Sequence, residues 1–153
     1  MDMKLLKSCL LMGSFLLSTW VSAEQDITGT WKNIDDQTGF SKGTIEIIKN
    51  EDGTFTGRVA SINPHPGYTP KEFCTKCPGD DKNKPILGMS VLRNFKASDK
   101  NPLEYNHGMI LDPTSGKLYK GRLRLNSTGK RLSLRGYIGV EIIGRSQTWI
   151  RQD

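Results

Sequence analysis

Residues 118–125 read LYKGRLRL, and they constrain the fold more than any other stretch of the chain. Lys120, Arg122 and Arg124 occupy every second position, with Tyr119, Gly121, Leu123 and Leu125 between them. Successive side chains of a strand point to opposite faces, so a strict period of two defines a strand with one wet side and one dry side. The turn residues NSTGK (126–130) send the chain back, and Arg131 leads into LSLRGYIG. Here the alternation resumes. Leu132, Leu134, Gly136 and Ile138 are expected to face in, and Ser133, Arg135 and Tyr137 to face out. A hairpin with one apolar face cannot stand alone in water; that face has to be covered.

The remaining sequence supplies the cover. ITGTWKN (27–33), TIEII (44–48), TFTGRVASI (54–62), ILGMSVLRNF (86–95), HGMIL (107–111) and RSQTWIR (145–151) all read as strands. NEDG (50–53), KASDKNP and DPTSGK (112–117) punctuate them, as turn chemistry requires. A long proline-rich loop, 63–85, holds His65, Cys74 and Cys77. No segment carries a sustained helical period. The expected fold is all-β, an antiparallel up-and-down barrel of about eight strands. Closing the sheet on itself removes the unpaired edges that such a chain would otherwise expose.

The first 23 residues stand apart from this pattern. Lys4 and Lys7 precede an apolar run from Leu10 to Trp20, and Val21-Ser22-Ala23 ends on a small residue. That is the layout of a secretion signal cleaved after Ala23. A retained anchor would need about 20 apolar residues, more than the run offers. Cys9 lies ahead of the apolar run, the wrong place for lipid attachment, and leaves with the leader. Residues 24–153 are then a single exported domain, periplasmic or secreted. Loss of Asp2, Lys4 and Lys7 takes the 22 basic and 16 acidic side chains to 20 and 15, a net charge of about +5. A balance this modest favours anionic surfaces, and export argues against nucleic acid as a partner.

Gly29-Thr30-Trp31 opens the first strand, and a G-x-W there resembles the opening signature of lipocalin-like (calycin) barrels. The resemblance implies that Trp31 closes the bottom of the barrel under an arginine of the last strand. If the first and last strands pair antiparallel, Arg151 meets Trp31 and Arg145 does not. A guanidinium over an indole face is worth about 1–2 kcal/mol when partly desolvated. More of the chain matches something narrower. GTW (29–31), C-x-x-C-P-G (74–79), LGMSVL (87–92), ILDP (110–113), GK-x-Y (116–119), RGYIG (135–139) and GRSQTW (144–149) together resemble a family of small secreted bacterial proteins. The family is known as domain of unknown function twenty-one forty-seven. It implies a lipocalin-like fold and carries no assigned activity.

Cys74 and Cys77 admit three readings. A redox dithiol would sit at a helix N-terminus, which lowers the first thiol's pKa, but Pro78-Gly79 follows directly. A zinc site would recruit His65 or His107 and Asp80 or Asp81 to complete four ligands. In an oxidising compartment a Cys74–Cys77 disulfide fixing a loop at the barrel mouth is the expected state. No metal site and no cofactor is expected.

Catalysis finds no footing: there is no Ser-His-acid signature, no Gly-rich phosphate loop and no H-E-x-x-H. Asp35-Asp36 and Asp80-Asp81 are adjacent acids of the sort that turns leave solvated. The leading expectation is a binding barrel with an apolar interior drawn from Ile45, Ile47, Phe55, Gly57, Val59, Val91, Tyr119, Gly121, Leu123, Leu134, Gly136 and Ile138. The inward glycines either leave room for a ligand or let strands bend. Arg145, Gln147, Trp149 and Arg151 share a face of the last strand. If that face is inward, Tyr119, Arg145, Gln147 and Trp149 form a ligand site for a small hydrophobic or amphipathic molecule, with Arg145 and Gln147 suited to a polar head. The alternative is a barrel filled solid, docking an anionic envelope surface through Lys120, Arg122, Arg124 and Arg135.

Overall fold

A computed structural model describes residues 25–35, 38–139 and 144–152; the proposed leader and Asp36 lie outside them. The chain forms β1 (Gly29–Ile34), β2 (Ser41–Lys49), β3 (Phe55–Ile62), β4 (Ser90–Ala97), β5 (Glu104–Asp112), β6 (Lys117–Leu125), β7 (Arg131–Tyr137) and β8 (Gly144–Arg151). Each strand pairs antiparallel with the next, and β8 pairs with β1, so the sheet is a closed eight-stranded barrel. Among the described residues the helical content is one 3₁₀ turn, Gly79–Asp81.

The β6–β7 hairpin follows the alternation residue for residue, pairing Leu123 with Leu134 and Leu125 with Leu132 on the dry face. Ile138 departs from it. The β7–β8 pairing ends at Tyr137 and Gly144, the chain turns at Gly139 (φ 77°), and Ile138 is left 62% exposed. Two strand boundaries also move. Residues 86–89 belong to the loop, where Ile86 N–H bonds Glu72 O and Gly88 takes φ 82°. β5 starts at Glu104, ahead of the HGMIL stretch, because His107 (φ 62°) forms a bulge between Tyr105 and Gly108. Asn94 (φ 57°) does the same in β4. Each bulge resets which residues face in, so the period of two vanishes from the sequence there.

One end of the barrel is packed solid. Trp31, Phe95, Tyr105, Leu123, Leu125 and Leu132 are almost fully buried, and the Phe55 and Tyr105 rings meet edge to face at 5.1 Å. Two of the inward glycines serve this packing. A Cβ at Gly121 would come within 2.5 Å of the Phe95 ring, and one at Gly57 within 2.9 Å of Leu92. These glycines make room for large side chains of neighbouring strands; neither a ligand nor strand bending is needed to account for them.

Arg151 ties this floor together. Its guanidinium carbon lies 4.4 Å from the Trp31 ring centroid. Its Nε donates to Gly129 O at 2.7 Å, Nη1 to Thr28 O at 2.6 Å and Nη2 to Asp26 O at 2.7 Å. The Trp31 indole N–H donates to Ile27 O at 2.9 Å. Beside the floor, the β2–β3 turn is held by Asp52, whose Oδ1 accepts from Thr54 N–H and Oγ1. Those bonds, the side-chain one first, hold the Asp52 carboxyl below the usual carboxylate range.

The outer wall carries Lys120, Arg122, Arg124 and Arg131 in exposed positions while the interior is apolar. A membrane-spanning barrel has the reverse polarity, apolar outside and polar within. No described helix is long and apolar enough to cross a membrane.

Replacing Trp31 by alanine is expected to cost about 3–5 kcal/mol in urea unfolding, as for a buried aromatic that leaves a cavity. Arg151→Lys keeps the charge but loses the three-way fork and is expected to cost about 1–3 kcal/mol. Arg145→Lys, exposed at the opposite end of the strand, should stay within about 0.5 kcal/mol of the parent.

Candidate functional site

Above this floor the barrel opens. A cavity of about 390 Å³ occupies the other half, walled by Ile45, Val59, Val91, Leu92, Ile110, Leu134 and Trp149. β1, β3, β5 and β7 end, and β2, β4, β6 and β8 begin, at this mouth, where Ile, Val and Leu supply most of the lining and Tyr119 and Trp149 the rest of its apolar surface. Gly136 contributes by absence: a Cβ there would approach Tyr119 Cβ to 3.2 Å, so glycine lets the tyrosine lie against the wall.

The structure brings Tyr119, Arg145, Gln147 and Trp149 together on this cavity and sends Arg151 to the floor. Trp149 is buried, and its indole N–H reaches Gln147 Oε1 at 3.4 Å, a long hydrogen bond. Asn33, paired with Trp149 across the β1–β8 seam, also lines the cavity, and its buried Oδ1 has no hydrogen-bond partner. A buried acceptor left unpaired is costly, and a donor entering the cavity would relieve it.

Three cations line the mouth: Lys42, Lys71 and Arg145. Lys42 pairs with Asp35 at 2.6 Å and lies 5.8 Å from the Tyr68 ring centroid. Lys71 Nζ donates weakly to Thr114 O at 3.5 Å. Asp112 is the acid on the lining, and its oxygens accept from Thr114 N–H and Ser115 Oγ inside their own turn. Among the described residues the lining therefore tends to positive charge. Asn33, Lys42, Tyr68 and Lys71 are the residues that sequence reasoning missed. Two sit on the proline-rich loop, where no periodicity assigns a face.

That loop is anchored at the mouth by the disulfide. Cys74 and Cys77 are bonded to each other and buried. Cys74 Sγ lies 3.1 Å from Pro113 O, and a Cβ at Gly116 (φ 73°) would collide with Lys76 O at 2.0 Å, so the loop rests on the β5–β6 turn. Farther along, Phe40, His65 and Tyr68 stack with centroids 5.0 and 4.9 Å apart. Both sulfurs being spent on the disulfide, the four-ligand zinc set is not assembled. Among the described residues no group of His, Cys, Asp and Glu is placed to hold a metal. Asp81 instead bridges Arg93 at 2.8 Å, and Asp35 is bound to Lys42. Asp80 is exposed in the 3₁₀ turn, and His107 is exposed on its bulge.

A closed eight-stranded antiparallel barrel, plugged at one end and hollow at the other, is a lipocalin-like fold. Its backbone superposes on protein HP1028 of Helicobacter pylori, described as belonging to the lipocalin family, with a TM-score of 0.68 over 85% of each chain and 20% sequence identity. Residues 29–151 match the family described as "Uncharacterized protein conserved in bacteria (DUF2147)", and the chain belongs to that family. No curated protein sequence matches it.

Replacing both Cys74 and Cys77 by alanine is expected to cost about 2 kcal/mol, the low end for a small ring. Limited proteolysis should then cut within 63–89 well before the barrel strands. Equal cutting of parent and variant would show that the loop holds its place without the bond.

Proposed function

We propose that this is an exported binding protein whose barrel takes up one small amphipathic molecule, apolar body inward and anionic or polar head at the mouth. The observation that carries the reading is the half-filled interior, an apolar cavity of about 390 Å³ rimmed by Arg145, Gln147, Lys42 and Lys71. The volume lies in the lower part of the range for small-molecule sites. At about 30 Å³ for each water-sized group it holds roughly a dozen non-hydrogen atoms. Tyr119 and Trp149 offer flat apolar surface to the body, and Arg145 and Gln147 offer donors to a carboxylate. Export accords with the leader-like first 23 residues and with the disulfide. The alternative of a solid barrel loses its premise in the mouth half. On its basic outer wall Arg122 donates to Asn106 and Arg135 to Ser146, as on an ordinary solvated sheet.

The test is a titration of delipidated protein with medium-chain carboxylic acids and the matching alcohols, read by indole fluorescence and native mass spectrometry. One acid per chain is expected, bound more tightly than its alcohol. Arg145→Glu should weaken the acid roughly tenfold and the alcohol little, and Val91→Phe, which fills the cavity, should abolish both. Absence of binding across acids, alcohols and hydrophobic dyes overturns the reading.

A further inference from the structure

We propose that the mouth of the barrel docks on an anionic lipid surface, led by the lip that β6 and β7 form. This goes beyond the binding reading and does not require the cavity to hold a ligand. The argument starts from where the exposed apolar side chains lie. Six large ones are exposed among the described residues: Phe40, Ile48, Phe73, Leu87, Leu118 and Ile138. All but Ile48 sit at the mouth end. Phe40 joins β1 to β2, Phe73 and Leu87 lie between β3 and β4, Leu118 begins β6, and Ile138 follows β7. None of these five lines the cavity. They face solvent around the opening, where loops are ordinarily polar.

Charge is distributed unevenly round the same rim. At the mouth end of β6, β7 and β8 the described residues 117–120, 135–139 and 144–146 carry Lys117, Lys120, Arg135 and Arg145 and no Asp or Glu. Within them Leu118 stands between Lys117 and Lys120, and Ile138 follows Tyr137, which pairs with Lys120 across the hairpin. Exposed leucine and isoleucine interleaved with lysine suit the boundary between lipid headgroups and acyl chains, where apolar tips enter and ammonium groups meet phosphates. A protein partner would call instead for a contiguous core that both sides desolvate. Here the apolar groups are single residues on separate segments circling an aperture. A fluid surface accommodates that arrangement; a fixed complementary surface does not.

The test is flotation of the purified protein with vesicles of phosphatidylethanolamine and phosphatidylglycerol, against vesicles of phosphatidylcholine alone. Binding is expected to the anionic vesicles only, and to weaken as salt is raised. The variant Leu87→Ser/Leu118→Ser/Ile138→Ser should bind them roughly tenfold less or weaker still, while Ile48→Ser at the closed end should match the parent. The parent and both variants share the same N-terminus, so the leader cannot produce the difference. Failure of the parent to float with anionic vesicles, or equal flotation of parent and triple variant, overturns the docking. So does an equal loss in Ile48→Ser. Carboxylic-acid binding measured on the same samples reports the cavity separately, because none of the substituted residues lines it.

Discussion

A single guanidinium holds the ends of this chain to its middle. Arg151 stands on the last strand, yet the carbonyls it binds belong to the segment before β1 and to the β6–β7 turn. Charge-assisted bonds to three carbonyls, over the face of a buried indole, do two things at once. They satisfy backbone groups that end-of-sheet geometry leaves open, and they seal the seam where β8 meets β1. A sheet of eight strands left unsealed would carry two free edges. Sealed, it has none, and its interior becomes a compartment.

What the compartment can do follows from how unequally it is filled. Phe55, Phe95 and Tyr105 crowd the floor, with glycine at positions 57, 108 and 121 where their neighbours need the space. Toward the mouth Ile, Val and Leu line most of the interior, with Tyr119 and Trp149 among them, and the space they leave is the cavity. The floor supplies the buried area that folds the chain, and the mouth can stay hollow without unfolding it. The disulfide and the β5–β6 turn then hold the long loop beside the opening, so the cavity has a fixed rim.

How much of this was legible depended on local regularity. The β6–β7 hairpin has no bulge, and its alternation declared both strands and their faces. The expected fold class and the Cys74–Cys77 bond agree with the structure. The faces of β4 and β5 were not readable, because Asn94 and His107 insert a residue and shift the phase. Ile138 was misplaced for a related reason: alternation says nothing about where pairing stops. The cationic rim was invisible because Lys42 and Lys71 reach the cavity through tertiary placement, one at a strand start and one on a proline-rich loop. The glycines were ambiguous because the side chains that need their space, Leu92 and Phe95, lie on other strands.

Native-state hydrogen exchange tests the sealed floor most directly. The amide of Gln152, bonded to Thr30 O, crosses the β1–β8 seam beside the guanidinium, while that of Arg151 is bonded to Lys130 O on the β7 side. If the floor closes the barrel, these amides should exchange only through global unfolding, with the same denaturant dependence as those of Leu123 and Leu134 in the adjoining hairpin. Exchange of the Gln152 amide at a much lower free energy, while that hairpin stays protected, would show a barrel that opens at β1–β8 and would contradict the account.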